Sequence, residues 1–190
     1  MTAVHVRFRP AARPKSRRAK VNFAVGARSA SRSISHVHCG PRRWSCALGR
    51  SGRVSLKREG DGGTPRGRWR LLRVFYRPDR IARPMTALPC SALRARDAWC
   101  DAPRDRNYNR QVTAPYPAST ERMWRDDALY DLVVVMDYNI WPRRRGFGSA
   151  IFMHVARAGF GATEGCITLR RRDLLALLAI ARPGAVISIP

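Results

Sequence analysis

Lysine and acidic residues are scarce in this 190-residue chain. Lys15, Lys20 and Lys57 are its only lysines, and no aspartate or glutamate precedes Glu59. The net charge of +24 is therefore carried almost wholly by arginine. Such a balance predicts attraction to polyanions, whether nucleic acid, anionic lipid or acidic wall polymers. The arginines are spread along the chain rather than clustered, which fits solvated faces better than a dedicated polyanion site. Aromatic residues at the regular spacing of a single-strand stacking platform are missing too. No apolar run approaches the roughly 18 residues that a membrane-spanning helix needs. The five cysteines form no Cys-x-x-Cys pair, and their odd number leaves at least one thiol free. His36, His38, Cys39 and Cys46 lie close together, but their spacing matches no standard zinc site, so no metal and no cofactor is expected. Cys46 is expected in a buried strand as a small apolar residue. Arg17-Arg18 followed by the mildly apolar stretch Val21 to Ala27 falls short of an export leader, so export is neither indicated nor excluded.

Residues 1–35 read as a basic arm that carries edge strands at Val4 to Phe8 and Val21 to Val25; residues 36–190 read as the folded domain. That size buries a full core without disulfide or metal staples. From Trp44 onward, short β-type runs alternate with Gly, Pro and Asp. The stretch from Arg53 to Arg77 predicts two strands joined by a glycine-rich turn, the second being Arg68 to Tyr76. Pro78, Pro84, Pro89, Pro103, Pro115 and Pro117 predict a mostly irregular segment over 77–117. Ser119 is placed to cap a short helix through Trp124. Leu129 to Tyr138 is the clearest strand, β-branched and apolar throughout, and so central. Asp173 to Ala181 is the one strong helix, stopped by Pro183-Gly184, and Ala185 to Ile189 is a closing strand. The expected class is mainly β with one or two short helices, and a monomer.

One segment is built for chemistry. A strand over Ser149 to Ala156 turns Phe152 and His154 to one side and Ile151, Met153 and Val155 to the other. A glycine-rich loop follows, then Thr163-Glu164-Gly165-Cys166 and a short apolar run. A thiol nucleophile needs a base and backbone N–H groups to hold an oxyanion, and a glycine before it lets the backbone approach closely.

These blocks together resemble the L,D-transpeptidase catalytic domain, also called YkuD-type. The turn Asp61-Gly62-Gly63-Thr64-Pro65-Arg66-Gly67 is similar to that family's Thr-Pro-x-Gly turn. The strand holding His154 and the Thr163 to Ile167 signature carry the rest of the likeness, which runs from about Cys46 to Pro190. It is closest to a compact subgroup with the blocks Lys57 to Gly62, Tyr108-Asn109-Arg110 and Leu129 to Asn139. Two departures stand out. Glu164 occupies the place of the usual His in Ser-His-Gly-Cys, and the interval from His154 to Thr163 is short.

The resemblance implies a β-sandwich catalytic domain over 36–190 that acts on peptidoglycan stem peptides in the periplasm or cell envelope. Cys166 would be the nucleophile, its thiol pKa lowered by the nearby His154, and His154 the base, with the Gly165 and Cys166 N–H groups as the oxyanion hole. Thr163, Glu164, Arg170 and Tyr108 are candidate substrate contacts. Thr64 and Gly67 are expected to serve the turn, and Arg171 and Arg172 the solvated entrance of the helix. Two rivals remain. One is a strongly basic polyanion binder, with nucleic acid or wall polymer as partner, on a catalytically degenerate version of the fold. The other is a thiol hydrolase of some other small peptide.

Overall fold

The computed structural model describes residues 21–26 and 33–190. Its strands are β1 (Asn22–Val25), β2 (Ile34–Cys39), β3 (Arg42–Ala47), β4 (Arg53–Val54), β5 (Thr64–Pro65), β6 (Gly67–Tyr76) and β7 (Cys90–Ala92). They continue with β8 (Asp97–Cys100), β9 (Arg110–Thr113), β10 (Thr120–Arg122), β11 (Leu132–Met136), β12 (Phe152–Val155), β13 (Ile167–Leu169) and β14 (Val186–Ile189). One α-helix, α1 (Arg171–Ile180), follows β13, and single 3-10 turns occupy Ala128–Tyr130 and Ala158–Phe160. The protein is mainly β, in the manner of the sandwich expected.

Nine strands form one sheet in the order β11-β12-β13-β3-β2-β1-β14-β6-β7. The ten-residue β6 is long enough to serve three partners, one of them β7 in parallel along Val74 to Tyr76. Its first half (Gly67 to Arg70) pairs with β14 and its second (Leu71 to Tyr76) with β11, so the sheet bends back on itself. Inside the bend lies the larger core, with Phe23, Val37, Leu48, Val74, Met153, Ile167 and Ile187 all fully buried. Helix α1 contributes Leu174, Leu177 and Leu178, one apolar stripe at helical spacing.

A second cluster lies on the opposite face of β6, β11 and β12. Here the small antiparallel sheet β10-β8-β9 covers Phe75, Val133, Val135 and Phe152. The Trp99 ring meets Phe152 edge-on, with centroids 5.0 Å apart. Period-two alternation divides each strand between the two cores. Leu132, Val134 and Met136 enter the first and Val133 and Val135 the second, so β11 is buried on both faces, as its composition predicts.

Three of the fold expectations need correction. Strand β1 is not an edge strand: it lies between β2 and β14, with Phe23 wholly buried. The strand expected at Val4 to Phe8 lies outside the described residues. The segment after Ser119 is strand β10, not a helix. A six-residue helix would make few internal hydrogen bonds, whereas Thr120, Glu121 and Arg122 each have a partner on β8. The expected hairpin across the glycine-rich turn does not form, because β4 pairs in parallel with β5 and β6 goes elsewhere. Asp61 explains this by tying the turn to itself, accepting from Lys57 Nζ at 2.5 Å and from the N–H groups of Arg58 (2.6 Å) and Gly63 (2.8 Å).

Candidate active site

Strands β12 and β13 run parallel, with Met153 opposite Ile167 and His154 opposite Thr168. The register puts Cys166, the residue before β13, level with Phe152. Phe152 and Cys166 both belong to the second cluster, and the His154 ring packs edge-on against Tyr130 of that cluster at 5.0 Å. His154 and Cys166 thus share one face, two residues apart along neighbouring strands. Strand spacing and rise put their Cα atoms roughly 8 Å apart. Both side chains open onto one cavity of about 450 Å³.

Each side chain is held. His154 Nδ1 lies 3.0 Å from the Val155 carbonyl. A carbonyl only accepts, so Nδ1 carries the proton and Nε2 is left as the basic atom. The Cys166 thiol donates to the Ala150 carbonyl (3.3 Å) and accepts from the Phe152 N–H (3.4 Å). The thiol is therefore not hydrogen-bonded to the imidazole in this state.

The electrostatics run against an ionised pair. Burial, and then the carboxylate of Glu121, push the Cys166 thiol up to about 12. Burial brings His154 down to about 4, and the backbone carbonyls of Val155 and Leu129 offset only part of that. The sequence reading expected the thiol lowered by its histidine. The structure reverses the direction, because desolvation disfavours the charged form of both groups.

A polar network built from the blocks quoted above aims the thiol's acceptor. Asn109, fully enclosed, accepts from Trp99 Nε1 (2.8 Å) and the Ala150 N–H (3.1 Å), and donates to the carbonyls of Tyr138 (3.2 Å) and Asn139 (2.8 Å). Tyr108 donates to Glu59, which also accepts from Ser149 Oγ at 3.0 Å. Ala150 itself has a left-handed φ of +50°, a conformation that costs a non-glycine residue on the order of 1 kcal/mol or more. The network holds that conformation, which turns the Ala150 carbonyl to Sγ.

The loop before the nucleophile is equally tied. Thr163 Oγ1 donates to the Cys166 carbonyl (2.7 Å) and accepts the Gly165 N–H (3.1 Å), while its backbone bridges Gly49. Gly165 has φ +132°, and a Cβ there would stand 2.7 Å from the Gly63 carbonyl oxygen. Only glycine fits between the nucleophile loop and the Gly62-Gly63-Thr64 turn. The turn is fixed in return, with Thr64 Oγ1 accepting the Gly49 N–H at 2.8 Å.

Of the residues picked from sequence, Cys166, His154, Thr163 and Glu164 line the cavity, whereas Arg170 and Tyr108 do not. Arg170 sits at the start of α1 with its guanidinium over the Phe160 ring, 5.3 Å from the centroid. Tyr108 stands behind the wall and supports Glu59. Gly165's N–H is spent on Thr163, so it is not available to an oxyanion here, leaving the Cys166 N–H as that loop's donor. Glu164 is exposed and pairs with Arg50, a contact worth little in solvent. Sequence reasoning missed Lys57, Glu59, Glu121, Arg125 and Tyr130, all on the cavity wall. Lys57, Glu59 and Tyr130 lie in blocks quoted for the resemblance, and that was their only signal.

The chain matches the family model of the L,D-transpeptidase catalytic domain (YkuD) over residues 39–189, and it belongs to that family. Comparisons with curated proteins and with solved structures gave no match. The family's substrates are peptides of peptidoglycan, and its members typically work in the cell envelope. Among the described residues, no helix is long and apolar enough to cross a membrane.

Proposed function

We propose that this protein is a cysteine-dependent L,D-transpeptidase acting on peptidoglycan stem peptides in the cell envelope. The observation that carries the reading is the placement of Cys166 and His154 on one face of the β12–β13 pair, both opening onto the same cavity. Cys166 attacks the carbonyl on the L-centre side of a tetrapeptide stem's terminal bond. His154 Nε2 takes the thiol proton and passes it to the departing amine of D-alanine. The Cys166 N–H steadies the oxyanion, for which one donor contributes roughly 3 kcal/mol. The resulting thioester goes to an amine of a neighbouring stem, giving a cross-link, or to water, giving a trimmed stem.

The resting charges constrain how the first step runs. A preformed thiolate–imidazolium pair must span the gap between about 12 and about 4. Proton transfer is therefore concerted with attack on the carbonyl, with His154 as general base to a neutral thiol.

The neutral thiol and the net charge of +24 favour one alternative, a basic polyanion binder on a degenerate catalytic fold. Incubation with a carbapenem followed by mass spectrometry separates the two. A single adduct on Cys166, absent from Cys166→Ala and slowed by orders of magnitude in His154→Ala, is expected. A folded protein that stays unmodified, yet binds nucleic acid or wall polymer with steep salt dependence, would overturn the transpeptidase reading.

A further inference from the structure

The cavity has a wall that the acylation step does not use. Strand β10 brings Glu121 onto it, opposite Trp99 on β8 in the small sheet that covers the second core. Tyr130 Oη donates to Glu121 Oε1, and the same Tyr130 ring packs edge-on against His154. Among the described residues no hydrogen bond reaches Oε2. Asp101, at the end of β8, lines the same cavity, and its Oδ1 is buried without a hydrogen-bond partner. Thr168 Oγ1, beside His154 on the cavity wall, is likewise buried and unpartnered. Buried polar atoms without partners are rare in native proteins and mark places where a polar group of a ligand completes the count. Acceptors on this wall call for a donor, and next to a thioester the donor with chemical consequence is a primary ammonium.

We propose that Glu121, positioned by Tyr130, is the base that deprotonates the acceptor's ammonium and so commits the Cys166 thioester to aminolysis rather than hydrolysis. This inference rests on the transpeptidase reading. After acylation His154 is neutral, having given its proton to D-alanine. The acceptor arrives as R–NH3+ and passes one proton to the Glu121 carboxylate. The neutral amine forms the C–N bond at the thioester carbon and loses a second proton to His154. As the C–S bond breaks, His154 returns that proton to sulfur. The thiol is regenerated, an amide is made, and Glu121 releases its proton to solvent. Water needs no such deprotonation before it binds, so the residue sets the partition. Burial raises the proton affinity of Glu121; the Tyr130 hydroxyl and the Arg125 charge offset part of the rise and the carboxylates of Asp101 and Glu59 add to it, and the net upward direction suits a group that takes a proton from an amine.

The test is a partition experiment on the full chain. A stem tetrapeptide ending in D-alanine serves as donor and a second stem as acceptor. D-alanine release, dimer and trimmed tripeptide are each followed by mass spectrometry from pH 5 to 9. In Glu121→Gln the dimer-to-tripeptide ratio is expected to fall at least tenfold further than D-alanine release does. The ratio should then rise with pH only as the acceptor's ammonium loses its proton in solution, and Glu121→Asp should recover part of the loss. A dimer-to-tripeptide ratio in Glu121→Gln equal to that of the unmodified protein at every pH would overturn the proposal. So would a uniform loss of release and transfer together, which is what a merely structural role gives. An unmodified protein that releases no D-alanine and takes no carbapenem would sink the transpeptidase reading first, and this inference with it.

Discussion

Burying a neutral histidine should leave a signature in stability as well as in catalysis. The His154 imidazole stands at about 4 in the folded protein, against about 6.5 in an unfolded chain. The unfolded state binds the proton first, so stability is full above about pH 6.5 and is lost as pH falls toward 4. Between pH 7 and pH 5 this one group should remove about 2 kcal/mol, the linkage integral for those two values. For a chain of this length that is a fall of roughly 4–8 °C in Tm. Other groups titrate in the same range; Glu121, whose proton affinity is raised by burial, works in the opposite direction. The comparison is therefore between the natural chain and His154→Gln, which keeps an N–H for the Val155 carbonyl and has no charge to gain. Urea unfolding of both proteins at pH 7 and pH 5, with m-values matched, isolates the histidine. The expected outcome is an acid-induced loss about 2 kcal/mol smaller in the variant. Equal losses in both would mean that the imidazole is hydrated or paired in solution, and the argument for a neutral general base would fail.

Two further predictions concern the thiol and its loop. At about 12, Cys166 is ionised in only about one molecule in ten thousand at pH 8, against roughly a quarter for a free thiol. Iodoacetamide should accordingly label it at least a hundredfold more slowly than a cysteine in an unfolded peptide, with a rate that climbs about tenfold per pH unit; labelling at the free-thiol rate would refute the burial argument. Gly165→Ala puts a Cβ 2.7 Å from a backbone oxygen at a φ of +132°. It should cost about 3 kcal/mol, read as a Tm lower by roughly 6–12 °C, and an unchanged Tm would show that the two turns are not locked together.

Local pattern was enough for some of this architecture. Alternation alone divided Phe152 and His154 from Met153 and Val155, and the unbroken apolar run at Leu132 to Met136 marked a strand buried on both faces. The helix at 171–180 followed from its apolar stripe. What local pattern does not carry is partnership. Nothing within Gly67 to Tyr76 says that one strand serves β14 and then β11, and nothing in Thr120-Glu121-Arg122 says strand, because its stability comes from Ala98, Trp99 and Cys100 across the ladder. The site divides the same way. The candidate nucleophile and base were visible as a spacing on adjacent elements. Glu121, Tyr130 and Lys57 are ordinary charged or aromatic residues until the fold gathers them. The direction of the thiol's ionisation was misjudged for the same reason: spacing reports which groups can meet, and burial belongs to the assembled core.

The distribution of constraint around Sγ now makes physical sense. A neutral thiol in a dry cluster is a poor nucleophile, so under the proposed reaction the rate must come from geometry rather than from a standing anion. That requirement matches where the backbone departs from relaxed conformations. Ala150, Asn109 and Asn139 all hold left-handed φ values, and all three belong to the network that fixes the thiol's acceptor. Gly165 holds the other side of the sulfur against the Gly63 carbonyl. In the proposed reaction, a substrate carbonyl entering the cavity meets a sulfur whose direction is set from both sides and an Nε2 whose tautomer is set by Val155. Loss of the Ala150 bond on attack then frees the S–H for His154 at the moment the C–S bond forms. Constraint has been placed at the acceptor of the resting thiol because that is the bond the reaction must exchange.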